Sequence, residues 1–523
     1  MTQQKSERGV VSQRRRKTMP TPSVSLEGEK AAPVKQQSKQ LLLFGETAET
    51  PSALKAQRTD DQADRRPRLS ATSAVPKSPN KEENVSMVAI TRVIEQLEQA
   101  FSKVAANRGA SGPDRMSIET VRKHWSDIYL KLCSQLADGS YTPGEIRRVW
   151  IPKAGGGERG LGIPNVVDRV VQEALRAVLE PLYEPTFHNG SHGFRPNRSC
   201  QTAIAQAKQY VEDGYEYVVD LDLEKFFDRV PHQRLMAKLS LAIKDRAVLI
   251  LIGKMLRSRV VMPDGVVVSN DEGVPQGGPL SPLLSNIVLH ELDQELEQRG
   301  HKFVRYADDC NIYVRTERAG HRVMASIVRF IEKRMGLKVN EAKSAVARPE
   351  GRHFLGFRMW REPMEGNVQV HVSQRTKERL RARIREETPR NYGGSLQACI
   401  TKVNVYLRGW MNFFGLCTDK IRILLKNIDA HIRRRLRAVI IHDWKRKRTI
   451  VRKLIALGVK PKTAWGGVYG GRKSAWALST TSAVERGLRN AYFAARGLLS
   501  LEQLWEQDPR RIAAPTQLRF ELG

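Results

Sequence analysis

Apolar residues first recur at helical spacing at Val93, Leu97, Ala100, Phe101 and Val104, so ordered structure is expected to begin near Val85. Residues 1–84 are polar and rich in Ser, Pro, Gln, Lys and Arg without a sustained period. They read as a disordered extension whose apolar island, Leu41-Leu42-Leu43-Phe44, could dock elsewhere. Gly109 to Asp114 breaks the first helix. Arg147 to Pro164 reads as two short strands around a glycine turn. Val167, Val170, Val171, Ala174, Leu175, Val178 and Leu179 predict an amphipathic helix that stops at Pro181. After the loop 190–198, Ser199 suits an N-cap. Tyr217 to Phe227 reads as a buried strand entering a turn. Gly273 to Ile287 reads as a glycine- and proline-rich loop opening a helix, with Ser281 as its N-cap and Pro282 in its first turn. Phe303 to Val314 has apolar runs on both sides of Ala307-Asp308-Asp309, the pattern of a β-hairpin with acids at its tip. His321 to Met335 is expected helical, Leu337 to Val346 strand-like, and Phe354 to Phe357 a short strand with a glycine bend. From Ser373 onward the pattern is helical, with a stripe at Ile421, Leu425, Ile428, Ile432, Leu436, Val439 and Ile440. Mixed strands and helices followed by helices alone predict an α+β fold with a helical C-terminal part.

Charge narrows the partner. The 523 residues carry 88 Lys and Arg against 56 Asp and Glu, a net charge of +32. A protein this basic is suited to a polyanion, and phosphate backbones are the commonest. Membrane partners are not expected: the apolar run Ala247 to Ile252 is too short to span a bilayer. The N-terminus lacks the apolar core of a signal peptide, so the expected location is cytoplasmic, associated with the nucleoid. The five cysteines form no C-x-x-C pair, which argues against a disulfide framework or a zinc ribbon.

Candidate chemistry starts at the acidic hairpin. Adjacent carboxylates on a tight turn repel, and hard oxygen donors of this kind suit Mg²⁺. Asp220 and Asp222, two apart on a strand, share a face. A buried strand seldom carries two such carboxylates without cation or proton chemistry. Glu224 and Asp228 read as solvated or capping acids. Lys153 and Arg159 flank the glycine turn, where they could fold over a triphosphate or decorate a surface hairpin. Gln276 sits between glycines that let backbone approach a ligand, or simply make a turn. Arg195 and Arg198 could meet a nucleic-acid backbone or pair with surface acids. Arg433, Arg434, Arg435, Arg437, Lys445, Arg446, Lys447 and Arg448, near Tyr406, Trp410, Phe413, Phe414 and Trp444, favour a nucleic-acid surface with stacking partners.

The order of these pieces carries the argument. RGLGIP at 159–164, GSHGFRPNRS at 190–199, DLEKFFD at 222–228, PQGGPLSPLLSNI at 275–287, YADD at 306–309 and FLGF at 354–357 resemble a reverse transcriptase. With YLRGWMNFFG at 406–415 and RRRLRAVI at 433–440, the chain most resembles the group II intron-encoded reverse transcriptase/maturase family. The resemblance implies a right-hand polymerase. Fingers and palm would span 85–370, an α-helical thumb and maturase domain 371–448, and a basic DNA-binding region with a tail 449–523. It implies RNA-directed DNA polymerase activity in which Asp222, Asp308 and Asp309 hold two Mg²⁺ ions, with Mn²⁺ as a substitute and the Leu223 carbonyl as an extra ligand. Family spacing selects Asp222 over Asp220, because an aromatic, Phe227, follows five positions later. Phe227 would exclude a 2′-hydroxyl; Lys153, Arg159, Gln276 and Lys343 would contact the nucleotide. The implied partners are intron RNA as template, a DNA primer or target, and dNTPs; a homodimer is left open. No cysteine follows Cys417 and no histidine follows His442, so the zinc-supported HNH endonuclease of some relatives is not expected. Rival readings are a non-catalytic RNA-binding splicing factor and a reverse transcriptase turned to defence or repair.

Overall fold

A computed structural model describes residues 88–509, except 153–156, 365, 390–391 and 472–473 and the side chain of Asp419. The expected extension over 1–84 and Lys153 lie outside the described residues.

The strands are β1 (Ile146–Pro152), β2 (Glu158–Ile163), β3 (Tyr217–Leu221), β4 (Val260–Val261), β5 (Val267–Val268), β6 (Lys302–Tyr306), β7 (Asp309–Val314), β8 (Ala345–Ala347), β9 (Phe357–Arg361) and β10 (Val368–Val372). They form a sheet in the order β2-β1-β4-β5, a central sheet in the order β6-β7-β3-β8, and a hairpin of β9 and β10. The central sheet follows from alternation. Val219, Leu221, Phe303, Cys310, Ile312 and Val314 enter one core with the helices Val166–Tyr183 and Ser281–Gln298. Val218, Val304 and Tyr313 enter a second core with the helix Cys200–Glu212 and the C-terminal helices. Side chains two apart on a strand share a face, so each strand feeds both cores. Asp220 and Asp222 therefore belong to the face of Val218, toward the C-terminal helices.

Several expectations are corrected at element ends. The helix Val166–Tyr183 runs through Pro181 rather than stopping there. A proline so near the C-terminus removes one hydrogen bond, and the Glu184 amide still reaches the Glu180 carbonyl. Ser281 is the first helical residue, not the cap, and its hydroxyl donates to the Pro275 carbonyl at 2.6 Å. Lys343 lies in the turn before β8. Ser199 does cap its helix, in a reciprocal box with Thr202.

The expected division at 448 is not a break in packing. The helix Arg422–Trp444 ends where Lys445 takes φ 56, and the helix Lys447–Ala456 turns back. Ile450, Val451, Leu454, Val468, Leu501 and Trp505 share one core with Leu425, Ile432 and Leu436. Asp429 fastens the far end: its carboxylate accepts from the Ser500 hydroxyl at 2.6 Å and the Leu501 amide at 2.9 Å.

Candidate active site

β6 and β7 pair out to Tyr306 opposite Asp309, leaving a two-residue turn of Ala307 and Asp308. Ala307 has φ 57, a left-handed conformation that costs a residue with a Cβ about 1–2 kcal/mol. The surrounding structure holds it there. On the other side of β7, β3 pairs antiparallel, with Leu221 opposite Cys310. One further step in that register sets Asp222 opposite Asp309. Residues opposite one another on antiparallel strands share a face, with Cβ atoms about 5 Å apart. Asp222 and the adjacent pair Asp308 and Asp309, distant from it in sequence, thus gather at one end of the sheet.

Their electrostatics reflect the crowding. Burial, then the Asp308, Asp222 and Asp220 carboxylates, push Asp309 up to about 7, against the opposing pull of Lys343. Asp309 stays open to solvent along one edge, so the like charges are the durable part of that shift. Burial raises Asp308 as well, Asp222 adds to it, and Arg159 and Lys343 oppose it.

Asp220 and Asp222 share a face but not a situation. Asp220 accepts from Arg352, Nε at 2.9 Å and Nη2 at 2.6 Å, a side-on pair that neutralises it. Asp222 has Lys343 Nζ 2.8 Å from Oδ2, in ion-pair range but outside hydrogen-bonding geometry, and that buried oxygen has no hydrogen-bond donor. Leu223 bridges Val339, flanked by Glu224 N to Lys338 O and Asn340 N to Asp222 O, both 2.8 Å. The Leu223 carbonyl is left out of that pairing. A buried carboxylate oxygen in ion-pair contact with Lys343, beside two crowded carboxyls, is a donor set that suits a hard divalent cation. Among the described residues, no three such groups already close around a point as a formed metal cluster. An ion would have to draw these acids together and displace Lys343.

One wall of the site comes from β2 and the 273–277 loop. Arg159 Nε donates to Gln276 Oε1 at 2.6 Å, and the Gly162 amide donates to the Gln276 carbonyl at 2.7 Å. Gly277, at φ 131, lets the chains approach: a Cβ there would lie 2.4 Å from the Gly162 carbonyl oxygen. Phe227 is buried, and its carbonyl accepts from the Val274 amide at 2.6 Å. Arg159, Gln276 and Phe227 are therefore linked through one loop.

The expected basic surface divides. Arg195 is buried: it pairs with Glu184, donates to the His188 and Ser191 carbonyls and lies over Phe187. Arg435 donates to Thr388 Oγ1 and to the Thr388 and Arg385 carbonyls, and Arg437 to the Leu488 carbonyl and Glu485. These three guanidiniums are engaged inside the protein; Arg195 takes the acid-pairing alternative, and Arg435 and Arg437 point their donors inward rather than to an outer surface. Arg198 is half-buried on Asn189, Arg433 half-buried, and Arg434 stacked 3.9 Å over Trp476. Lys445, Arg446 and Arg448 are exposed, and Lys447 lies 5.2 Å over Tyr469.

The expected stacking partners are corrected too. Trp410 is buried, and Tyr406, Phe413, Phe414 and Trp444 pack against the second core. Among the described residues, Trp465 and Tyr469 form an exposed aromatic pair, 47% and 41% exposed with rings 5.0 Å apart. Their i, i+4 spacing beside Lys460 and Lys462 was a usable signal. Arg352 was not foreseeable, being 132 residues from its partner.

Residues 151–359 match the reverse transcriptase (RNA-dependent DNA polymerase) family, and residues 377–455 match the group II intron, maturase-specific domain. Protein YkfC of Escherichia coli is 33% identical over 355 residues, 60% of this chain and 90% of YkfC. Group II intron-encoded protein LtrA of Lactococcus lactis subsp. cremoris is 37% identical over 235 residues, 44% of this chain but only 39% of LtrA. Among solved structures, a partial Cas6-RT-Cas1–Cas2 complex aligns with a TM-score of 0.31 and 23% identity over 46% of this chain and 42% of that one, too slight a likeness to argue from.

Proposed function

The chain belongs to the group II intron-encoded reverse transcriptase/maturase family, and on that premise we propose that it extends a DNA primer on an RNA template using Asp222, Asp308 and Asp309. The observation that carries this reading is that Asp222, one residue past the Leu221–Cys310 pair, lies close enough to Asp308 and Asp309 for its charge to raise both. Reverse transcriptases generally use divalent metal ions. Two Mg²⁺ ions bound here would lower the pKa of the primer 3′-hydroxyl and neutralise the triphosphate. The residues' own tasks follow from their places. Asp222 approaches from just past the end of β3, Asp309 from the start of β7 and Asp308 from the turn, with the Leu223 carbonyl as a further oxygen donor. Lys343 balances Asp222 until a cation replaces it. Arg159, held by Gln276, offers its remaining N–H groups to nucleotide phosphates, and Lys153 joins it from the glycine turn. Phe227, buttressed by the 273–277 loop, crowds a 2′-hydroxyl and favours deoxynucleotides.

The C-terminal helices hold the RNA. Exposed Lys445, Arg446 and Arg448 provide phosphate contacts, and the RNA held is the chain's own intron, kept in its splicing fold and copied from a DNA primer. With an RNA template, DNA primer, dNTPs and Mg²⁺, the wild type extends the primer. Asp308→Ala abolishes extension and keeps RNA binding. Normal extension by that variant would refute the site; absence of any cDNA from the wild type, with splicing intact, would favour a non-catalytic splicing factor.

A further inference from the structure

β6 carries an arginine that no step above uses. The side chains of Arg305 and Asp293 are both 0% exposed. A buried guanidinium is tolerated only if its charge and all its N–H groups are matched. Arg305 meets that demand fully. Nε donates to Asp293 Oδ1 at 2.7 Å and Nη2 to Asp293 Oδ2 at 2.5 Å. Nη2 also donates to Ser191 Oγ at 2.7 Å, and Nη1 to Asn286 Oδ1 at 3.0 Å. The fifth donor goes from Nη1 to the carbonyl of Ala307 at 2.9 Å, the left-handed residue at the head of the acidic turn. An arginine has five such donors, and all are used.

The partners of Arg305 are themselves joined. Asn286 Nδ2 donates to the Gly193 carbonyl at 2.8 Å. The Arg305 amide donates to the Gly190 carbonyl at 2.7 Å, and the His192 amide to the Arg305 carbonyl at 2.8 Å. The loop presses on the turn so closely that a Cβ on Gly193 would lie 2.3 Å from the Ala307 nitrogen. A loop, a helix and a strand thus meet on one guanidinium, directly behind the strained turn.

We propose that Arg305 is a positioning residue that fixes the Ala307 carbonyl and so holds the turn of Asp308 and Asp309 where a divalent cation can draw the two acids together with Asp222. The carboxylates repel one another, and a turn with a left-handed alanine has reason to relax. Asn286, Asp293 and Ser191 hold the guanidinium, and its planar fork holds the turn. Lysine would keep the charge but lose the fork. The inference rests on the reading that these carboxylates bind divalent ions.

The test is Mn²⁺ binding to the full chain by electron paramagnetic resonance, with primer-extension kinetics alongside, for wild type, Asp308→Ala, Arg305→Lys and Ser191→Ala. Arg305→Lys should weaken Mn²⁺ binding and lower kcat by about 10–100-fold, as expected for groups that orient metal ligands. Its KM for dNTP and affinity for primer–template should not change, and it should still melt in one cooperative step, at a lower temperature. Ser191→Ala, which removes one of the five bonds, should move both readouts in the same direction by about threefold. Wild-type Mn²⁺ affinity and kcat in either folded variant would overturn the proposal, and Ser191→Ala decides if Arg305→Lys does not fold. If Asp308→Ala leaves Mn²⁺ binding unchanged, the metal reading itself fails and takes this proposal with it. If Asp308→Ala abolishes binding while the other two variants bind normally, the metal reading stands and only the role of Arg305 falls.

Discussion

The turn between β6 and β7 and the helix Arg422–Trp444 both place charge inside the protein, yet only the first announces it in sequence. In the strand, Arg305 stands among Phe303, Val304 and Tyr306, and a period of two assigns every side chain to a face. In the helix, Arg433 to Arg437 sweep more than a full turn around Leu436, so some of the basic residues face inward. Arg435 and Arg437 are buried while Arg446 and Arg448, just beyond the helix, are exposed. Strand periodicity therefore reports which charge is chemistry. A basic helix reports only that a polyanion is near.

The largest expected effect separates two acids on one strand. Asp222→Asn should cost at least about 10³-fold in primer extension, since several kcal/mol of transition-state charge stabilisation depend on the ions it holds. Asp220→Asn should leave extension within about tenfold, because it loses chiefly the partly exposed Arg352 pair, worth about 1 kcal/mol. Steady-state extension assays on both variants break the comparison if the order reverses.

Next comes the helix. Arg435→Met should destabilise the fold by about 2–4 kcal/mol in urea unfolding, because it strands the Thr388 and Arg385 acceptors in the interior. Arg448→Met should leave stability unchanged and reduce the salt dependence of RNA binding by about one phosphate contact.

A pH test probes the loop behind the acidic turn. Burial, then repulsion by Arg198, Arg195 and Arg305, lowers His192 from the ordinary histidine value to about 4, although its Gln206 bond pulls the other way. The unfolded chain therefore takes up this proton first. The stability His192 contributes is complete above about pH 6.5 and is lost as pH falls toward 4, by at most about 3 kcal/mol. His192→Gln should flatten that part of the stability curve; an unchanged slope would show that other groups set it.

The smallest effect belongs to the exposed aromatic pair. Trp465→Ala should weaken single-stranded nucleic-acid binding by about 1–3 kcal/mol if a base stacks there, without affecting extension of a prebound primer. Fluorescence titration reads this directly.

What the sequence made legible follows the same physics. The hairpin, the strand of Asp220 and Asp222 and the capped helix at Ser199 were readable because alternation, turn chemistry and caps are local. The division between Asp220 and Asp222 needed family spacing, since its structural cause, Arg352 against Lys343, is assembled from distant turns. Arg305 was open to notice, a charge inside an apolar strand, but its four partner residues on a loop, a helix and a turn were not. The packing across 448 was not legible, because Leu454, Leu501 and Trp505 fold back onto the same core as the preceding helix from positions distant in sequence.

The most direct test of the central claim is anomalous diffraction from crystals of the full chain grown with Mn²⁺, primer–template and an unreactive dNTP analogue. The account predicts a peak about 2 Å from carboxylate oxygens of both Asp222 and Asp309, with Lys343 displaced from Asp222. Density confined to Asp308 and Asp309, with Lys343 still paired to Asp222, would contradict it.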